Sequence, residues 1–273
     1  MRRVSPLVYL GLTVMVAFNL APFYWMVTSS LKGAMEVVSF PATLWPEKFT
    51  TEAYVEIWLH AGFVTFFANS LIVAGSTALL SSAFGLFAAY GFSRFRFPFR
   101  TAMMTVFLAS QMIPGVLLVV PYFKLLAQLG LFDTRIGLVL ALTSITLPFS
   151  VWMLKGYIDG VPVEIDQAAM IDGATRLQAL RLTVLPNILP GLVATMTFAF
   201  LLAWGDVLWA LCLISDEAKL TMTLGIARLI GQFRVVWSQA MAAVVIASLI
   251  PALLYLILQR YLVHGLTEAA VRE

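Results

Sequence analysis

Charge is scarce in this chain: 11% of its residues are Asp, Glu, Lys or Arg, under half of the roughly 25% usual in soluble domains. No stretch is polar enough for long enough to build a separate water-soluble core, which excludes an attached soluble domain. The single cysteine, Cys212, excludes an internal disulfide. His60 and His264 stand far apart, so no run has metal-ligand spacing and no metal site is assigned. No Gly-x-x-x-x-Gly-Lys-Ser/Thr phosphate loop occurs, so any use of ATP belongs to another subunit. A net charge of +3 divided among loops leaves no nucleic-acid footprint. No residue is assigned a catalytic role.

What fills the chain is apolar: 61% of residues are hydrophobic, against roughly 45–50% in ordinary domains. Six apolar segments reach the roughly 20 residues that a helix needs to cross hydrocarbon. They cover about residues 7–31, 64–92, 101–123, 136–154, 183–205 and 235–259. The reading is an all-α membrane protein with a single transmembrane domain over 1–273, six spans and a loop at 155–181. The second apolar run exceeds one untilted span, so part of it is expected in a loop or at the interface. The first span follows Met1-Arg2-Arg3 and is read as an uncleaved helix, since its length and the spans behind it differ from a secretory signal.

Cytoplasmic loops are enriched in Lys and Arg. Placing both termini inside puts ten of the seventeen cations in the cytoplasm: Arg2, Arg3, Arg94, Arg96, Arg100, Lys155, Arg176, Arg181, Arg260 and Arg272. The other seven, Lys32, Lys48, Lys124, Arg135, Lys219, Arg228 and Arg234, fall outside. The tight turn Arg94-Phe-Arg-Phe-Pro-Phe-Arg100 decides the orientation. No span contains an ionisable Asp, Glu, Lys or Arg, which counts against a proton-coupled carrier. Small residues recur four apart, at Ser81, Gly85 and Ala89 and at Ala74, Ala78 and Ser82, as close helix packing in lipid requires. Prolines 114, 121, 148, 186, 190 and 251 are expected to interrupt or kink helices.

The exception to the apolar pattern is Val161-Pro-Val-Glu-Ile-Asp-Gln-Ala-Ala-Met-Ile-Asp-Gly-Ala174. Pro162 suits the first position of a helix, and Glu164 and Asp166 fall where the positive end of the helix dipole stabilises carboxylates. Ile165, Ala168 and Ala169 are expected to share a face with Asp172, while Met170 and Ile171 point elsewhere. Apolar groups on more than one side fit a helix between its own bundle and another protein; the alternative is an elbow that packs only on its own chain. Gly173 allows a change of direction, and Leu177, Leu180 and Val184 continue the apolar spacing toward a span opened by Leu185-Pro186.

The spacing Gln167-Ala-Ala, three residues, Gly173, nine residues, Thr183-Val-Leu-Pro186 resembles the EAA loop of permease subunits in bacterial ATP-binding-cassette importers. Asp172-Gly173-Ala174 fits the loop's Asp-Gly-Ala core, while Gln167 replaces the usual Glu and Thr183 the usual aliphatic residue. The likeness extends to the carbohydrate branch, similar to the second permease of maltose, trehalose and glycerol-phosphate systems. It runs through Ser30-Leu-Lys32, Phe67-Ala-Asn-Ser70, Ala89-Tyr-Gly-Phe-Ser-Arg94, Gln111-Met-Ile-Pro114, Leu129-Gly-Leu-Phe-Asp-Thr134, Trp204-Gly-Asp206 and the tail Gly265-Leu-Thr-Glu-Ala-Ala-Val271. At Gly205 the family usually has Asn.

This resemblance implies a type I importer fold in a bacterial cytoplasmic (inner) membrane, multi-pass with both termini cytoplasmic. It implies a non-catalytic subunit that pairs with a second, related permease over an ATP-binding-cassette ATPase dimer, beneath an external solute-binding protein. ATP and Mg are used by the partner ATPase, and this chain binds no cofactor. The cargo is a sugar: an oligosaccharide or a related polyol or glycerol-phosphate. Glu164, Asp166, Gln167, Ala168, Ala169, Asp172 and Gly173 are the expected ATPase contacts or hinge. Asn69, Gln111, Tyr122, Asn187, Trp204 and Asp206 are candidates for the substrate pathway, since such groups bond hydroxyls or stack on sugar rings. Each also suits helix packing or capping. Two other classes remain open: a self-contained secondary carrier, and a non-transporting scaffold whose helix recruits a partner.

Overall fold

A computed structural model describes residues 5–59, 62–231 and 235–270. Arg2, Arg3, Arg234 and Arg272 of the charge count, together with His60 and Val271, lie outside the described residues. Among the described residues the regular structure is helical: α1 Pro6–Ser30, α2 Glu52–Leu59, α3 Phe63–Arg94, α4 Arg100–Ser110, α5 Gly115–Gln128 and α6 Arg135–Asp159. There follow α7 Val163–Ile171, α8 Arg176–Ala179, a π turn Leu180–Val184, α9 Leu185–Asn187, α10 Leu189–Trp204, α11 Leu208–Leu213, α12 Met222–Gly231 and α13 Trp237–Ala270. A short 3-10 turn, Glu217–Lys219, precedes α12.

Four of these helices are long and apolar enough to cross a membrane, and the count reaches six when two bent pairs are each taken as one span. The bends fall inside two of the expected spans, near prolines expected to interrupt or kink them. The segment 101–123 is not one rod: α4 and α5 meet at 99°, with Pro114 as the residue that starts the second arm. A proline has no N–H to give to the preceding turn, so the helix stops there. The segment 183–205 is likewise bent by 84°, so the straight apolar helix opens at Leu189-Pro190 rather than at Leu185-Pro186. In contrast, the long second run stays helical over all 32 residues of α3. At about 1.5 Å per residue that is ~48 Å, beyond the roughly 30 Å of hydrocarbon, and the surplus is helix rather than loop.

The described chain clusters into two units, where the sequence reads as one domain. The first comprises residues 1–64 and 224–250. In it α1 exposes its apolar side chains along its length, as a helix solvated by lipid or by another subunit does. The end of α1 is pinned by polar contacts: Ser30 Oγ lies 2.8 Å from Tyr54 Oη and Tyr24 Oη donates to the Leu44 carbonyl at 3.1 Å. Lys32 is buried, donating to the Thr43 carbonyl with its ammonium 4.8 Å from the centre of the Trp25 ring.

The second unit, residues 65–223 and 251–273, is built on α3, α6 and α10. Asn69 near the start of α3 reaches Ala218, as does Arg135 at the start of α6, while Arg94 at the end of α3 meets Val161 just past α6. The two helices are therefore parallel. The small-residue row lies between them: Ser81 Oγ is 2.8 Å from Ser150 Oγ, and a methyl group added at Gly85 would stand 3.1 Å from Ser150 Cβ. Helix α10 runs the other way, with Phe198 against Phe149 at 4.0 Å between ring centres. At the α7 end, Ala89, Tyr90, Phe92, Val151, Leu154, Ile158, Val161, Leu180, Val184 and Ile188 form one apolar cluster. This cluster seats the loop that carries the candidate site.

Candidate functional site

Helix α7 begins one residue after Pro162, whose backbone (φ −54°, ψ 135°) makes it the cap instead of the first helical residue. The helix has two faces. Glu164, Gln167, Ala168 and Ile171 are exposed, and Ile165, Asp166, Ala169 and Met170 turn toward the bundle. The spacing 164, 167, 168, 171 is one helical stripe. This divides the expected face: Ala168 and Asp172 are exposed, whereas Ile165 and Ala169 are half-buried, and Ile171 is an apolar group 86% exposed. Ile171, at the end of this short helix, was not among the residues expected at the site.

Asp166 is corrected as well. Its carboxylate faces inward, 2.7 Å from Arg94 Nε, and the two side chains are 3% and 4% exposed. Tyr90 Oη donates to the same oxygen at 3.3 Å, and Arg94 Nη2 donates to the Val161 carbonyl at 2.9 Å. Ser93 Oγ donates to Asp159 Oδ1 at 2.6 Å, and Asp159 also pairs with Lys155 one turn back. Tyr90, Ser93 and Arg94, all on the last turn of α3, thus converge on the corner between α6 and α7. The sequence flags Arg94 as a loop cation and as the last residue of a resembling stretch; its partner lies 72 positions away, and no periodicity links the two.

The end of α7 follows from Gly173. Its N–H donates to Met170 at 3.1 Å and that of Ala174 to Ala169 at 3.0 Å, the paired closing bonds of a left-handed helix stop. Gly173 has φ +92°, a conformation that a side chain strains, and the chain changes direction there as expected. Asp172 is exposed beside it. Thr175 then restarts the helix: its hydroxyl accepts from Gln178 N–H at 3.3 Å, while its own N–H donates to Gln178 Oε1 at 2.7 Å. Leu180 and Val184 are buried and Leu177 is exposed. The π turn lies just before Pro186, and Leu185 N–H reaches back five residues to Leu180. Thr183 bonds the Ala179 carbonyl.

Of the pathway candidates, four are bonded to backbone groups. Asn69, 1% exposed, donates both amide hydrogens, to Ala218 at 3.0 Å and Leu220 at 2.9 Å; it clamps a loop. Asn187 donates to Thr183 at 2.6 Å within its own turn. Trp204 is buried between Phe67, edge-on at 5.9 Å, and Phe200, stacked at 5.6 Å. Asp206 accepts from Trp209 N–H at 3.2 Å and Ala210 N–H at 2.9 Å, so it caps α11. Gln111, exposed at the α4–α5 bend, donates to the Ile145 carbonyl at 3.2 Å. Tyr122 lies 2.7 Å from Ser144 Oγ, with its ring edge on Trp209 at 4.9 Å. Tyr122 and Asp206 thus meet around Trp209 and α11, whereas Asn187 sits at the α7 end. Ser144 and Trp209 were not foreseen, being ordinary packing residues in sequence.

The end opposite α7 is closed by Asp133. Its Oδ1 accepts from the N–H groups of Ser215 at 2.9 Å and Asp216 at 3.0 Å, and its Oδ2 meets Lys219 Nζ at 3.1 Å. These bonds hold its carboxyl below the usual carboxylate range, the two backbone donors foremost. Asp216 is also lowered, by Ala218 N–H and Lys219, and Lys219 is raised by both carboxylates.

Comparison with known proteins gives this arrangement its context. The chain is 36% identical over 266 residues to the inner membrane ABC transporter permease protein YcjP of Escherichia coli (strain K12), covering 97% of this chain and 95% of that protein. It is 33% identical over 271 residues to the trehalose/maltose transport system permease protein MalG of Thermococcus litoralis, covering 97% and 96%. In fold it is similar to a chain from the crystal structure of a bacterial ABC transporter involved in the import of the acidic polysaccharide alginate: TM-score 0.83 at 19% identity, over 96% of this chain and 99% of that one. Residues 81–268, which include the α7 corner, match the model of one family. This multi-pass membrane chain belongs to the binding-protein-dependent transport system inner membrane components.

Proposed function

We infer that this chain is one of two permease subunits of an ATP-driven sugar importer, and that α7 is its contact with the ATPase. The observation that carries this is the division of α7 into an anchored face and an exposed stripe of Glu164, Gln167, Ala168 and Ile171. A stripe with an apolar residue at its end is built to be covered by protein. The sugar follows from relatives that are named for trehalose/maltose, diacetylchitobiose and sulfoquinovosyl glycerol. Their named roles support a carbohydrate cargo here. On this reading α7 and both termini are cytoplasmic, and the Asp133–Lys219 rim faces an external binding protein. Closure of the ATPase dimer on ATP moves α7, and the spans rock between inward- and outward-facing arrangements. Hydrolysis resets them. Glu164, Gln167, Ala168, Ala169, Asp172 and Gly173 are kept as contact or hinge, with Ile171 added.

The test is purification of the tagged chain in mild detergent with identification of what accompanies it. An ATPase and a second permease are expected, and Ile171→Asp is expected to insert normally yet lose the ATPase. A chain that purifies alone and moves solute in otherwise empty liposomes is a secondary carrier, and the reading falls.

A further inference from the structure

The exposed face of α7 receives a partner on the proposed reading, but a push on a helix is useful only if something carries it into the bundle. Covalent connection carries it to α6 through Gly160–Pro162 and to α10 through α8 and the π turn. Neither path includes α3, the longest helix of the second unit. We propose that Arg94 is the positioning residue that makes α3 and α7 move as one body, a role that rests on the coupling function proposed for α7.

The geometry is specific to a guanidinium. Nε bonds Asp166 on α7 at 2.7 Å, Nη2 bonds the Val161 carbonyl between α6 and α7 at 2.9 Å, and Nη1 reaches Ser93 at 3.4 Å. One planar fork thus ties three elements in fixed relative directions, which the point charge of a lysine does not reproduce. Burial of both partners shields the pair from salt. It also makes separation unfavourable, because a lone charge left in an apolar cluster has no water to solvate it. Asp166 Oδ2 takes both Arg94 and Tyr90, whereas Oδ1 is buried with no bonding partner. The carboxylate is therefore held from one side only, the α3 side. Ile171 and Gln167 project from the opposite face of α7, so the latch and the partner surface do not compete.

The experiment uses the complex with its co-purifying ATPase. Nitroxide labels are placed on Phe87→Cys of α3 and Val163→Cys of α7 in a Cys212→Ser background, and their separation is measured by pulsed electron paramagnetic resonance. With Arg94 intact, the distance distribution is expected to keep its peak and width when ATP and vanadate are added. In Arg94→Gln and Arg94→Lys the same addition is expected to shift or broaden it, while ATP hydrolysis persists. Because Arg94→Gln leaves a buried carboxylate, Arg94→Met with Asp166→Leu supplies a packed, uncharged comparison, and it too is expected to lose the fixed distance. If the double variant stays as rigid as the native pair, ordinary packing joins the helices and the proposal is overturned. A companion Ile171→Asp complex separates the two ideas: if it retains both the ATPase and its nucleotide response, the coupling surface is misplaced whatever Arg94 does.

Discussion

Asp133 holds two backbone N–H groups and an ammonium with one carboxylate, from a backbone position at φ 55° that few residues adopt. Its folded-state pKa is lowered, so its contribution to stability is present above the unfolded value, about 3.9, and is lost as pH falls through the lower, folded value. Lys219 is raised, so its contribution is complete below its unfolded value, about 10.4, and disappears as pH climbs through the folded one. The rim is therefore firmest between those limits. Thermal unfolding in detergent, followed by tryptophan fluorescence, is expected to lose stability below about pH 4. Asp133→Asn is expected to start lower at neutral pH and to show a shallower acid limb; an unchanged limb would assign the loss to other carboxylates. Gly173 makes a different demand. A methyl group there meets no neighbour, yet φ +92° strains any side chain by ~1–3 kcal/mol. Gly173→Val is expected to insert and assemble but to uncouple ATP hydrolysis from uptake, and normal uptake at normal expression would refute that role. Both residues were visible in sequence, Gly173 with its change of chain direction and Asp133 only as part of a motif. The backbone donors that fix Asp133 come from more than 80 positions away.

Among the helices, composition revealed where the chain is apolar but not where it turns. Hydropathy runs without interruption across Gln111–Pro114, and only the proline hints at the 99° bend. The fifth span was expected to open at Leu185-Pro186, and its straight helix opens at Leu189-Pro190 instead. The small-residue row on α3 was readable because close packing demands a repeat of four. Its counterpart on α10, Gly191, Thr195, Ala199 and Ala203, has the same repeat of four and is buried as well, although it was not singled out in sequence. A methyl group built on Gly191 falls into the ring of Tyr157 from α6, whereas one on Gly75 meets nothing within 4 Å. Gly191→Ala is expected to cost about 1–3 kcal/mol through overpacking, read as a lower unfolding temperature that Tyr157→Leu partly restores. Gly75→Ala serves as the neutral control.

At the scale of the molecule, the second unit places its polar contacts at two ends of an apolar bundle. The all-α class, the loop at 155–181 and the family were legible because lipid forces long apolar runs and because the loop has a strict spacing. The division of that loop was not legible, since Asp166 looks like a surface carboxylate until Arg94 is brought beside it. The pathway candidates fared similarly: Asn69 and Asn187 are polar residues near spans, and the fold spends both on backbone carbonyls. One feature at the α7 end has mechanical meaning. The π turn at Leu180–Val184 contains one residue more than an α-helical path of the same rise. If its bonds slip to the α pattern, all that follows rotates by roughly 100° and advances about 1.5 Å relative to all that precedes. On the coupling function proposed for α7, a push along α8 would therefore leave as a sideways swing of α10, because α10 lies at 84° to the segment that carries the π turn.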